Sequence, residues 1–519
     1  MDKLSPRTYN LPHDVWRPGQ HEAINALVMS DKDVTILSAE TGSGKSAIGA
    51  GLGSRGRDVR FLTSTKALQN QYGHYPGVEV LFGLNAYECD LMPAFNADSC
   101  IHADKMTNCP SASYCHYLLQ RAATKSASRQ SLSYAYFLSS IWPQKLPTDF
   151  LFCDEAHELP NIIMAHMKLN LKSFQLSKLG LPTVPTNIAP IHGLAFTQVY
   201  NWLLDVLDVA SREMESLEEA SFLPDGLRKK KLALYHLTRS VRPVVFGMEI
   251  ADKEAFLIES DMPGEITISP LTSAPFFNFL FSTQGKKVLA SATIGRPSIF
   301  AGLLGLSKGR YDFHQVDPAF APESRPVFYH PDAPSVKHRS PLSAYKKQAE
   351  LVMDAVRMFP NTAHGLLHFS SKESAKQMAD MLSGQLGDKI WMPPETGSTD
   401  TKIAAWEERK KRKPGTIAFT YSFHAGVDAP DVTINIVMKV PFIPLDKRGA
   451  ALLEYNPVYY NWVAATQVEQ AVGRNRRGEP DHYEVKGQPL RKFVAVLDNN
   501  FLRLKNNYSR TFNLSLSKM

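Results

Sequence analysis

The sequence predicts an α/β protein with two parallel-sheet domains, and three observations carry that expectation. Short apolar runs recur along the 519 residues, each followed by a polar or glycine-containing turn and then a helical pattern. Strands and crossover helices of parallel sheets alternate in this way. The runs form two sets, separated by a Pro-, Ser- and His-rich stretch at 322–341. One run leads directly into a glycine-rich loop closed by Lys45 and Ser46, a strand-loop-helix arrangement that binds phosphates.

The first set comprises Val34 to Leu37, Val59 to Leu62, Phe150 to Cys153 and Val288 to Ala290. Cys153, inside an apolar run, reads as a buried strand residue. Roughly 130 residues separate the third and fourth of these strands. Their helical patterning, as in Asn201 to Leu207 and Met214 to Ala220, predicts an inserted helical subdomain. The second set comprises Gly365 to Phe369, Thr416 to Phe419, Ile434 to Val437 and Phe493 to Leu497, and 322–341 reads as the linker between the sets.

Hydrophobic residues at 44% and charged residues at 21% are those of a folded globular chain. A net charge of +7 permits a polyanionic partner without demonstrating one. The basic runs Arg228 to Lys231 and Arg409 to Lys413 read as solvated helix faces or turns. The first twenty residues lack the apolar core of a secretory signal, and no stretch approaches the roughly 20 apolar residues that span a bilayer. The expectation is an intracellular protein without a membrane partner, in cytoplasm or nucleoid, or in the nucleus of a eukaryote.

The loop Ala39 to Ser46 has a small residue, four free positions, then Gly44, Lys45 and Ser46. Thr41, Gly42, Ser43 and Gly44 would let backbone N–H groups wrap the phosphates of ATP or GTP; Lys45 would reach the β and γ phosphates, and the Ser46 hydroxyl would ligate Mg2+. Asp154, Glu155, Ala156 and His157 follow the strand ending at Cys153, so their side chains emerge at its C-terminal edge, where open α/β sheets bind ligands. Asp154 would hold Mg2+ and Glu155 would orient and deprotonate the attacking water. In the second half, residues 422–428, with Gly426 and Asp428, follow a strand, and Gln470, Arg474 and Arg477 form a late cluster with Gly473. Arginines supplied from the second domain would stabilise γ-phosphate charge and make hydrolysis conditional on cleft closure.

Cys89, Cys100, Cys109 and Cys115 stand between the phosphate loop and Asp154, with ten, eight and five residues between successive cysteines. In a reducing compartment the set fits metal ligation better than disulfides. Four thiolates suit either tetrahedral zinc or a [4Fe-4S] cluster, and the spacing leaves both open.

Together these motifs resemble superfamily 2 helicases of the XPD and DinG group, from Arg17 to about Asp498. Arg17, Pro18, Gly19 and Gln20 resemble the group's adenine-reading motif, and residues 63–69 its next, DNA-contacting motif. Ser291, Ala292 and Thr293 resemble the box that, with His157, couples hydrolysis to domain movement, and Val440, Pro441 and Phe442 the segment after the fifth motif. The segment 316–320 is looser than the group's Ser-Pro-Phe, and Arg476 is charged where the group carries an apolar residue.

The resemblance implies two RecA-like domains. The first would span 1–82, 117–157 and 267–320, interrupted by an iron-sulfur domain at 83–116 and a helical arch at 158–266; the second would span 321–519. It implies a [4Fe-4S] cluster on the four cysteines, zinc being the alternative. It further implies ATP-driven 5′-to-3′ movement on single-stranded and forked DNA, for which a monomer suffices. Two other readings are an RNA or RNA–DNA hybrid helicase and a non-unwinding nucleic-acid clamp of the same fold.

Overall fold

The computed structural model describes residues 5–40, 42–55, 57–89, 96–97, 109, 111–188, 192–218, 225–317, 321–337, 340–421, 429, 431–475 and 492–519. In chain order the first strands are β1 (Val34–Ser38), β2 (Val59–Thr63), β3 (Val78–Leu81), β4 (Arg129–Ser133) and β5 (Phe150–Asp154). They are followed by β6 (Leu169–Lys172), β7 (Phe256–Glu259), β8 (Glu265–Pro270), β9 (Lys286–Ser291) and β10 (Tyr311–Gln315). The second half holds β11 (Val327–Tyr329), β12 (Gly365–His368), β13 (Ile390–Trp391), β14 (Ile417–Thr420), β15 (Ile434–Val437), β16 (Phe493–Val496) and β17 (Leu516–Lys518).

Two seven-stranded parallel sheets form the frame, with orders β10-β1-β9-β5-β2-β4-β3 and β13-β14-β12-β15-β16-β11-β17. The apolar runs expected as strands lie at the centres of these sheets, and Cys153 is fully buried. Parallel strands are covered by helices on both faces, so central ones read as continuous apolar runs. The strands that sequence patterning missed differ for identifiable reasons. β4 is polar, yet Gln130 is buried because its side chain accepts from the Arg60 guanidinium and donates to Ala127 O. Arg60, wholly buried on β2, also donates to the carbonyls of Pro143 and Leu146 and to Gln284 Oε1, and lies 5.6 Å from the Trp142 ring centroid. A buried charge persists only with such a shell of acceptors.

Two expectations are corrected. The stretch 322–341 is not simply a linker, because Val327 and Phe328 are buried in β11, between β16 and β17. The Pro-rich flanks hid a three-residue strand. The run Arg409 to Lys413 is not wholly solvated either: Lys410 on the helix Thr399–Arg412 is buried, paired with Glu407 and Asp431 and set 4.4 Å from the Trp406 ring centroid.

Within 158–266 lie two long helices, His192–Glu218 and Asp225–Ile250, packed on each other. They stand on a small antiparallel sheet, β6-β8-β7, whose middle strand continues to Pro270. The inserted subdomain is therefore helical with a β base. Its core is continuous with that of the first sheet through residues such as Leu171, Val206, Phe256 and Leu289.

The two halves meet along the helix Pro457–Val472. Trp462 from this helix stacks on Phe300 at 5.7 Å and donates to Ile294 O at 2.9 Å. Gly295, at φ +68°, has no room for a Cβ, which would lie 2.5 Å from Asn507 O. This seam sets the C-terminal edge of the first sheet against the end of Pro457–Val472 that carries Gln470.

Candidate nucleotide site

The phosphate loop joins β1 to the helix Lys45–Leu52. Gly42 and Gly44 sit at φ +86° and +82°, and a Cβ on Gly44 would come within 2.2 Å of Gln20 Nε2. Only glycine fits there. Gln20 donates to Ser43 O at 2.8 Å and accepts from Arg17 N at 2.9 Å, while the Arg17 guanidinium donates to Gly42 O. Arg17 and Gln20 thus both brace the loop directly. Thr41 lies outside the described residues. The helix points its N-terminal N–H groups into the loop, an arrangement that favours an anion.

At the end of β5, Asp154 is buried and Glu155 turns out of the strand. Among the described non-glycine residues only Asn10 and Glu155 have positive φ; Glu155 sits at φ 50°, ψ 43°. A left-handed residue of this kind costs roughly 1–2 kcal/mol. It swings the carboxylate toward the phosphate loop, with Oε1 3.7 Å from Lys45 Nζ and Oε2 3.3 Å from His157 Nδ1. Burial opposes ionisation of Glu155, but Lys45, the hydrogen bond and charge of His157, and Arg474 outweigh it and hold the carboxyl below the usual range. Burial and the neighbouring Glu155 charge act the other way on Asp154 and raise it. The pair is thereby split into an ionised group facing the loop and a more basic one behind it.

Ser46 and Asp154 converge on one phenol. Tyr72 donates to Asp154 Oδ2 at 3.0 Å and also meets the Ser46 hydroxyl. Gln71 Nε2 donates to Ser46 Oγ at 2.8 Å, Tyr134 donates to Asp154 O, and Glu155 N donates to Asp154 Oδ1. A hydroxyl and a carboxylate brought this close are the hard oxygen donors that Mg2+ takes from a protein when phosphates complete its shell. The donor set fits.

His157 joins the two sheets. Its Nδ1 is 2.8 Å from Ser291 Oγ, which also accepts from Thr293 N at 3.1 Å. On the far side of the ring, the Gln470 amide nitrogen contacts Nε2 from the second domain. Glu155, His157, Ser291, Thr293 and Gln470 thus form one connected chain.

Arg474 follows Gln470 by one turn. Its charge helps hold the Glu155 carboxyl below the usual range and partly offsets the burial that raises Glu158, and its carbonyl accepts from Ala429 N. The other second-domain candidates, Gly426, Asp428 and Arg477, lie outside the described residues.

Of the four cysteines, Cys89, Cys109 and Cys115 are described as free, partly buried thiols, and Cys100 lies outside the described residues. Cys115 caps the helix His116–Ser126 and packs against the first-domain core. Among the described residues no three His, Cys, Asp or Glu side chains form a group that could hold a metal ion. No helix among them is long and apolar enough to cross a membrane.

Sequence reasoning missed Gln71, Tyr72 and Tyr134. All three act through side-chain contacts to residues 20 to 82 positions away, which leaves no local pattern to read.

Beside the site, a cavity of about 90 Å³ between the domains is lined by Glu40, Thr293, Gln315, Arg325, Glu469 and Ser509. Burial pushes the Glu469 carboxyl up to about 7, although Ser509 N donates to it at 2.6 Å. A carboxyl raised above its unfolded value contributes stability that is complete below about 4.5 and lost as pH rises through about 7. Glu469→Gln keeps an acceptor oxygen and removes the charge. Its stability relative to the parent chain is expected to improve by on the order of 2–3 kcal/mol between pH 5 and pH 8. Denaturant melts at the two pH values measure this difference, and a pH-independent difference would remove Glu469 as the titrating group.

No protein-family model matches the chain, and no curated protein does. Solved structures do match. An XPD helicase structure superposes with a TM-score of 0.57 at 14% identity, covering 100% of both chains. The fold is that of XPD helicase. A second structure, XPD in its apo form, gives a TM-score of 0.52 at 15% identity over 96% of this chain and 99% of that one. The XPD fold accounts for the paired parallel sheets, and the match runs over the full length of the chain. At this identity the likeness is one of fold, and the chemistry rests on the residues described above.

Proposed function

We propose that the protein is an ATP-dependent DNA helicase that moves 5′ to 3′ along single-stranded DNA and opens duplex at forks. The observation that carries this reading is the chain of contacts from Glu155 through His157 to Gln470, which ties a nucleotide-hydrolysing centre on one domain to the position of the other. Such a contact lets the domain seam change each time the γ-phosphate is bound, cleaved and released. The XPD fold supports the choice of a nucleic-acid motor over other uses of a phosphate loop.

The triphosphate lies on the loop N–H groups and Lys45. Ser46 and Asp154 would hold Mg2+, which would supply charge neutralisation to the triphosphate. Glu155 accepts a proton from water as its oxygen bonds to the γ-phosphorus and the bond to the β-bridging oxygen breaks, leaving ADP and phosphate. Arg474, with Arg477, places positive charge at the γ-phosphoryl group when the domains close. Gly426 and Asp428 contribute the second domain's remaining nucleotide contacts, and Arg17 and Gln20 receive the adenine beside the loop they brace.

The four cysteines are assigned a [4Fe-4S] cluster in a domain at 83–116, with the subdomain at 158–266 as the arch beside it. Thiol chemistry and the position of the window support the cluster; zinc is the competing occupant. Anaerobically purified protein is expected to absorb visible light and to contain iron, as thiolate-bound iron-sulfur clusters do. Colourless protein with stoichiometric zinc would reverse that assignment.

One unwinding assay tests the motor. Forks with a 5′ single-stranded DNA arm should be opened, 3′-armed forks and matched RNA duplexes should not. RNA unwinding would select the RNA reading, and binding without ATP-driven unwinding would select the clamp.

A further inference from the structure

Two adjacent residues outside every motif above touch both of the groups that would hold Mg2+. Gln71 and Tyr72 lie at the C-terminal end of the helix Lys66–Gly73, which begins within the segment 63–69 and is capped at Thr65, whose Oγ1 accepts from Leu68 N. Gln71 donates to Ser46, Tyr72 donates to Asp154 and meets Ser46, and Ser64, near the start of the same segment, acts on the carboxyl of Glu158 beside His157. Tyr72 is fully buried and stacked on Phe61 of β2 at 4.3 Å, so its hydroxyl has little freedom apart from movement of the helix itself. Gln71 is exposed, reaching Ser46 from the surface of the same helix.

We propose that Gln71 and Tyr72 are positioning residues for the Mg2+ ligands Ser46 and Asp154, and that their helix transmits nucleic-acid occupancy of segment 63–69 to the metal site. This rests on the helicase reading, which places nucleic acid on that segment. Groups hydrogen-bonded behind metal ligands fix their orientation and basicity, and their loss weakens metal binding. A strand of nucleic acid that shifts the start of the helix shifts both donors together, because a helix turn is stiff while the side-chain bonds it carries are directional. By linkage, tighter Mg2+ binding when nucleic acid is present requires tighter nucleic-acid binding when Mg2+ is present.

The test uses the full chain, with Mn2+ as a spectroscopic stand-in for Mg2+, and reads free Mn2+ by electron paramagnetic resonance in the presence of ADP. An oligo-dT single strand is added or omitted. In the parent protein oligo-dT is expected to tighten Mn2+ binding. Tyr72→Phe is expected to weaken Mn2+ binding about tenfold and Gln71→Ala by several-fold, with the oligo-dT effect reduced in both. Tyr72→Phe keeps the buried ring, and Gln71→Ala alters an exposed side chain, so folding is preserved in at least the second. A general structural defect would weaken metal-free ADP binding equally, whereas lost positioning acts on the metal-dependent part. Parent-like Mn2+ binding in both variants overturns the proposal and leaves the helicase reading standing. Weakened binding in the variants with no oligo-dT effect in the parent overturns transmission. A parent protein that binds no Mn2+ with ADP, and is indistinguishable from Lys45→Ala, overturns both the proposal and the helicase reading.

Discussion

Glu155→Gln is expected to lower the turnover of ATP about 10²- to 10⁴-fold, the range a positioned general base contributes. The carboxylate is ionised because Lys45, His157 and Arg474 outweigh the burial that opposes its charge, and it is turned toward the loop by a left-handed backbone. Glutamine retains the size and an acceptor oxygen but has no basic site for the proton of the attacking water. Nucleotide binding should not weaken, since a negative group that would face the triphosphate is removed. Steady-state kinetics separate the two: kcat collapses while KM holds or falls. Turnover within about tenfold of the parent would show that water is activated elsewhere.

Arg474→Ala is expected to cost on the order of 10³-fold or more in the hydrolytic step, as loss of a γ-phosphate arginine does in related chemistry. The residue belongs to the second domain, but its charge is felt at Glu155 and Glu158 in the first. Its contribution therefore depends on the seam formed by Trp462 with Phe300 and Ile294. Arg474→Lys should recover little, because an ammonium lacks the forked donors of a guanidinium. Single-turnover measurements with saturating ATP isolate the step. A full-rate Arg474→Ala enzyme would pass the role to Arg477 alone.

Local chemistry made much of the site legible in the sequence. Gly44 must be glycine, Lys45 and Ser46 must follow it, and Asp154 and Glu155 must end an apolar strand; each requirement falls on neighbouring residues. The central strands were legible for the same reason, being runs buried on both faces. β4 and β11 were not. In β4 the burial of the Gln130 side chain depends on Arg60, and in β11 three residues gain their place only by pairing with β16 and β17. Lys410 likewise counted as surface charge until Asp431 and Trp406 were seen beside it.

By itself the sequence determined a phosphate loop, a carboxylate pair at a strand end and two parallel sheets, because these depend on backbone conformation and residue order over a few positions. Tertiary structure alone decided that Gln71 and Tyr72 stand behind Ser46 and Asp154, and that Gln470 reaches His157 across 313 positions of chain. Such contacts are set by how whole helices and domains pack, and a hydrogen bond between distant residues leaves no periodicity at either end.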